Sequence, residues 1–334
     1  MVQVGIDGRV ERQCGDADAL VTIRSAVKPF TLVALIESGA AEAFSLTPPE
    51  LSVMAGSHAG EDLHVRTIQS VFRRSGLSQS ALACGSEGMP LDKVTAARLA
   101  RDGEAAGAIR HMCSGHHAAS MLLSRHAGWS IEDYWQPDHP SQVASREVVA
   151  RVFGVGTGDL RTAVDGCGLL TYAFPLVDIA RAFALLADPG AVAAGPDHAR
   201  MAPTLTRIRD AMVAAPEMIG GTRDDIDTAL MRVRQGQLVA KTGSEALQGI
   251  GLLAGSRGPG SRAAGVAIKI EDGDGRERAH SAATVEALAQ LDALDDRALR
   301  VLARYHHPPT LDPRGRVVGE AVPDFQLVPT GELF

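Results

Sequence analysis

Three things are scarce in this 334-residue chain: cysteine, clustered positive charge and long apolar runs. No run of about 18 apolar residues, the length that crosses a bilayer as a helix, occurs anywhere. The first residues, MVQVGIDGRVERQ, lack the charged and then apolar order of an export signal. Neither membrane nor export is expected, and the chain reads as cytoplasmic. Lysine and arginine are scattered and the net charge is −7, so no basic stripe exists to neutralise phosphates, and nucleic acid is not an expected partner. The four cysteines, Cys14, Cys84, Cys113 and Cys167, are too few for a disulfide scaffold at this length. In a reducing compartment each stays a thiol unless it binds metal or reacts. No internal repeat is found, and the one loose stretch is GSRGPGSR at 255–262, read as a turn between strands.

With 45% hydrophobic and 22% charged residues, the composition is that of a globular protein with a sizeable core. VQVGI-DG-RVERQ alternates around Asp7-Gly8, which predicts a hairpin whose two central residues take positive φ. PFTLVALI, from Pro29 to Ile36, is almost wholly apolar and closed by Ser38-Gly39, as expected of a helix buried on all sides. Further helices are expected at 48–55, 61–74, 91–101, 114–125, 141–152, 175–187, 200–214, 223–234, 281–292 and 296–305. After Gly236, QLVAK, IGLLAG and AAGVAIKI read as adjacent antiparallel strands. Strands at the ends and helices between them predict an α+β fold, with an antiparallel sheet built from both chain ends and covered by helices. Residues 1–334 are expected to form a single catalytic domain, with a sheet part (about 1–24 and 236–334) and a helical part (about 25–235).

Chemistry enters with RSAVKPF. Ser25 and Lys28 are three apart, so on a first helical turn they share a face, and Pro29 is tolerated only at a helix start. A desolvated lysine can serve as base for a serine without any histidine. An N-cap serine beside a surface lysine is the alternative. Downstream, VAKTG is a strand ending in Lys241-Thr242-Gly243, and S-x-x-K followed by K-T-G is the order found in serine β-lactamases and penicillin-binding proteins. No S-D-N triplet is present. Ser57, in MAGSHAGE at a helix end, is the serine in a suitable place, with a linker role as the alternative.

The stretch HMCSGHHAAS, residues 111–120, sets Cys113 and His116 three apart at the start of a helix, and Cys167 lies in VDGCGLL. Two thiolates and an imidazole are good zinc ligands; two small buried hydrophobes and a helix-surface histidine are the alternative. Asp165 either orients a ligand or substrate ammonium or shapes the turn before Gly166.

Taken in order, RSAVKPF, ESGA, SHAGE followed by HV, Cys84-Gly85, HMCSGHHAA, VDGCG and VAKTGSE resemble the bacterial type II asparaginases of the Rhizobium etli kind, over residues 24 to 245. The resemblance implies a fold similar to serine β-lactamases and glutaminases, a homodimer, and hydrolysis of L-asparagine to L-aspartate and ammonia. It implies two Ser–Lys pairs, Ser25–Lys28 and Ser57–Lys241, without deciding which serine attacks. A zinc site maps onto Cys113, His116 and Cys167, with histidine where the family carries lysine. Arg24, His58, Glu61, His117, Asp165, Gly243 and Glu245 fall at substrate-binding positions. Two further departures are an Arg-Gly-Gly segment expected ahead of the hairpin, and SEGMP after Cys84-Gly85, where a histidine usually precedes the proline. The same serine–lysine set also suits a β-lactamase-like esterase or amidase. The change at 116 suits a catalytically inactive zinc or amino-acid binding relative.

Overall fold

Apolar runs at both chain ends pair with one another before any helix is needed. The structure, a computed structural model, describes residues 1–85, 90–190, 196–273 and 278–330. Two compact units are present, one of Met1–Ala26, Ala173–Ala199 and Ala229–Phe334, the other of Val27–Tyr172 and Arg200–Thr228.

In the first unit a six-stranded antiparallel sheet runs in the order Val328–Pro329, Val10–Gln13, Val2–Gly5, Ala264–Lys269, Leu247–Leu252, Leu238–Gly243. The expected sheet from both ends is therefore there. Its opening hairpin differs in detail from the expected two-residue turn. Gly8 alone takes positive φ (79°), while Gly5 O accepts from Gly8 N at 2.9 Å and Gly5 N donates to Arg9 O at 2.9 Å. This is a turn followed by one left-handed residue and a bulge, a longer loop that leaves Asp7 in ordinary backbone space.

The three strands after residue 236 are buried almost throughout, which explains why they read as continuous apolar runs and not as alternation. Helix Leu176–Ala187 covers them. A Cβ on Gly265 would lie 1.8 Å from Ala180 O, and one on Gly249 would lie 2.0 Å from the Phe183 ring, so small residues let this helix approach the sheet closely. The sequence assigns that helix to the helical part; in the structure it belongs to the sheet unit. Strand Leu170–Pro175 was not expected, because it runs straight into this helix and its apolar residues merge with the helical pattern. Its end pairs with another unexpected short strand, Leu20–Thr22.

In the second unit the expected buried helix is Lys28–Glu37, with every residue from Lys28 to Ile36 buried, and Gly39 (φ 83°) just past its end. Helices Pro48–Ala55, Ser114–Ala127 and Pro140–Phe153 pack on it. Phe30 meets Phe153 edge-on, ring centroids 5.9 Å apart at 80°. Helix Asp62–Ser75 completes this side, with Glu61 accepting at its N-terminus. Thirteen α-helices are found among the described residues; the short Ala40–Ala43 was not expected, the others lie close to the expected bounds, and the expected 296–305 helix is split at Leu302. Among them none is long and apolar enough to cross a membrane.

Phe30 is fully buried, so Phe30→Ala is expected to destabilise the protein by about 3–5 kcal/mol, read as a lower thermal midpoint. A midpoint within error of the parent would mean that the central helix is not the core of its unit.

Candidate active site

Lysine seldom lies inside a protein, and Lys28, only 2% exposed, does so at the first position of the central helix. Its Nζ donates to Gly56 O at 3.0 Å, to Ser57 Oγ at 2.9 Å and to Cys113 Sγ at 3.2 Å. Three acceptors match the three protons of an ammonium. Ser57 is brought there because helix Pro48–Ala55 ends at Gly56 in extended geometry, and Ser57 N then donates to Ile219 O at 2.7 Å. Cys113 arrives from the residue that precedes helix Ser114–Ala127, with its own amide donating to His111 Nδ1 at 3.0 Å.

The two expected thiols meet. Cys167 donates a hydrogen bond to Cys113, and this bond holds the Cys113 pKa well below that of an ordinary thiol. Burial opposes the shift; Lys28 and His111 reinforce it. Cys167 is pushed the opposite way by the same bond, so it stays the protonated partner. The centre is thus the Lys28 side-chain nitrogen held between the Cys113 sulfur, whose pKa is lowered, and the Ser57 hydroxyl.

His116 does not join it. Its side chain lines a narrow gap with Thr31, Leu35, Ser120 and Ser145. Among the described residues no three His, Cys, Asp or Glu side chains form a group able to hold a metal ion. Among those residues Cys113, His116 and Cys167 do not form such a group.

The histidines at substrate positions are struts. His58 is fully buried; Gly60 N donates to its Nδ1 at 3.2 Å, so the ring proton sits on Nε2, 2.9 Å from Ser114 Oγ, which in turn donates to Ile109 O at 2.7 Å. His64 stacks on it at 4.7 Å, receives Glu61 N at its Nδ1 (3.1 Å) and donates from Nε2 to Glu217 O (2.9 Å). Burial, then the neighbouring His64 and Lys28, holds His58 well below its usual pKa, and burial lowers His64 as well. The Glu61 carboxylate accepts from Thr222 N and Oγ1 (both 2.6 Å) and from Arg223 (3.3 Å), which ties the loop to the 220s. His117 is likewise buried, its pKa drawn down to about 4 by burial, with Nδ1 2.6 Å from Tyr134 Oη. Tyr134 Oη already accepts from Ala83 N at 2.8 Å, so its proton goes to His117. Asp165 sits in the tight turn that carries Cys167, accepting from Gly166 N at 2.6 Å and Gly168 N at 2.8 Å.

The first unit gathers the remaining expected residues. Arg24 pairs with Glu245 at 2.5 Å, and Arg24 (φ 49°), Glu245 (φ 61°) and Ala246 (φ 56°) all occupy left-handed backbone space that costs a non-glycine residue energy. A Cβ on Gly243 would lie 2.7 Å from Ile23 O, so only glycine lets the end of strand Leu238–Gly243 press against the segment carrying Arg24 and the buried Ser25. Lys241 is fully buried on that strand, its Nζ donating to Thr242 O at 2.6 Å. The sequence pairs Lys28 with Ser25 and Ser57 with Lys241; the structure joins Lys28 to Ser57. Of SEGMP, residues 86–89 lie outside the described residues.

The sequence profile of the L-asparaginase II family matches residues 1–323. The chain belongs to the L-asparaginase II family. No curated protein matches it. Among solved structures, a crystal structure described as Mglu in its native form is similar, with 17% identity and a TM-score of 0.36, over 89% of this chain and 65% of that one. This asparaginase II chain therefore spans about 65% of that protein's length.

Sequence reasoning held His64 and His111 within its motifs without giving them a role, and it missed Tyr134, Thr222 and Arg223 in this family member. Only tertiary contacts bring them to the centre, and no local spacing marks them.

A neutral buried imidazole has a folded pKa below its unfolded value of 6.5. Below that pH the unfolded chain takes up protons that the folded chain refuses, so stability is complete above it and falls on acidification. Thermal midpoints are expected to drop as pH is lowered from about 7 to about 5, and less steeply in His58→Asn. Equal slopes in both proteins would show that His58 does not stay neutral in the fold.

Proposed function

We propose that the chain hydrolyses L-asparagine to L-aspartate and ammonia by serine–lysine catalysis. Membership of the L-asparaginase II family supports the reaction. The buried Lys28–Ser57 contact at 2.9 Å is the observation that carries the mechanism. The Lys28 ammonium first passes one proton to the Cys113 sulfur, and the resulting amine takes the proton of the attacking serine as the serine oxygen adds to the side-chain carboxamide carbon. The nitrogen takes a proton and leaves as ammonia, and water then cleaves the acyl ester to release aspartate. The two candidate nucleophiles are Ser25, which belongs to the S-x-x-K run and follows the strained Arg24, and Ser57, whose hydroxyl accepts from Lys28. Arg24 and Glu245 are assigned to the substrate α-groups, and His58, Glu61 and His117 to holding the walls.

On the same motif order, we infer the Rhizobium etli kind within the family, a fold related to serine β-lactamases and glutaminases, and a cytoplasmic homodimer. No step is routed through zinc.

Ser25→Ala and Ser57→Ala are each expected to lower ammonia release from L-asparagine by at least about a thousandfold with the thermal midpoint retained. Full activity in both variants would remove the serine–lysine reading, and release from L-glutamine or D-asparagine alone would remove the substrate. For metal, elemental analysis of protein purified without chelator is expected to give the same zinc content for wild type and His116→Ala. A loss confined to that variant would place the imidazole in a metal site after all.

A further inference from the structure

All four cysteines are free thiols, yet two of them, both in the second unit, touch. Cys113 stands at the start of helix Ser114–Ala127, and Cys167 lies in the turn between strands Arg161–Val164 and Leu170–Pro175. They are 4% and 7% exposed and share a hydrogen bond. Sulfurs in a disulfide are about 2.05 Å apart, so closing the pair from hydrogen-bond distance takes roughly 1–2 Å of movement. Cys113 is held by its helix and by the bond to His111, which leaves the turn as the part that moves. Gly168 in that turn has positive φ (92°), and a Cβ there would meet nothing within 4 Å, so the turn has room. A third buried thiol of this unit, Cys84, donates to Ala108 O at 3.4 Å, and burial pushes its pKa up to about 12, so it keeps its proton.

We propose that Cys113 and Cys167 form a reversible disulfide when a peroxide reaches them, and that this bridge switches the Lys28–Ser57 site off. The Cys113 sulfur attacks one peroxide oxygen, the O–O bond breaks, and hydroxide leaves with the thiol proton as water, so a sulfenic acid remains. The Cys167 sulfur then attacks the Cys113 sulfur, the S–O bond breaks, and the hydroxyl leaves with the Cys167 proton as a second water. Two electrons pass from the sulfur pair to the peroxide. A bridged Cys113 sulfur cannot take the Lys28 proton, so the amine that serine attack needs is not formed; this consequence rests on the serine–lysine reading. On the same reading, the path that admits asparagine to Ser57 admits the smaller peroxide. In a reducing compartment such a link is transient and reports an oxidant.

Hydrogen peroxide treatment of the full chain tests it, followed by mass spectrometry of unreduced peptides and by ammonia release from L-asparagine. A Cys113–Cys167 link, a chain lighter by two hydrogens and ammonia release lowered at least about tenfold are expected, all reversed by dithiothreitol. Cys167→Ser is expected to form no link and to regain activity only in part on reduction, because Cys113 then goes on to its sulfinic acid. Cys14→Ser is expected to follow the wild type. No Cys113–Cys167 link in the wild type, a link to Cys14 or Cys84 in its place, or full turnover with the link formed would overturn the proposal. A link formed in a chain that releases no ammonia even when reduced would uphold the disulfide and remove the asparaginase reading.

Discussion

A buried ammonium must be given acceptors and a counter-charge, and the second unit is organised around meeting that demand for Lys28. Removing two charges from water costs several kcal/mol per ion, and the cost is offset only by good geometry with further hydrogen bonds. Here the third acceptor is the Cys113 sulfur, whose pKa is lowered first by the Cys167 hydrogen bond. The remaining two ammonium protons go to Gly56 O and Ser57 Oγ. One helix start, one helix end and the entry to a third helix must therefore meet at a single nitrogen. The apolar length of the central helix, Phe30 against Phe153 and the 56–61 strut are the means by which they do.

The choice of lysine carries chemical weight because the chain has so few. It contains four lysines, at 28, 93, 241 and 269, and leaves nearly all its other positive charge to arginine. Arginine does not give up its proton in proteins, whereas an amine can. Two of the four lysines, Lys28 and Lys241, are buried. Positive charge needed for solubility and ion pairing sits on arginines such as Arg74, Arg98 and Arg223, while the amines are kept where a proton can move.

The dense histidines answer to packing more than to ligation. His58 and His64 are neutral, stacked, and use both ring nitrogens on backbone or serine partners, which fixes the chain on either side of Ser57. In HMCSGHH, His111 receives the Cys113 amide, His116 fills a gap between helices and His117 bonds Tyr134, so one segment serves three different neighbours. A neutral imidazole suits these roles because it both donates and accepts, at the cost of sensitivity to acid.

From residue order alone, the central helix, the sheet from both ends, the helix positions and the residues Lys28, Ser57, Cys113 and Cys167 could be read. Each follows from local periodicity, from proline and glycine at element ends, or from short motifs, all of which are properties of neighbours along the chain. Tertiary structure decided that Lys28 meets Ser57, that helix Leu176–Ala187 lies on the sheet, that His116 lines a gap with Thr31 and Leu35, and that Glu61 is spent on Thr222 and Arg223. Those outcomes rest on contacts between residues far apart in sequence, where burial and hydrogen-bond satisfaction select one partner among many, and no spacing within a motif encodes that selection.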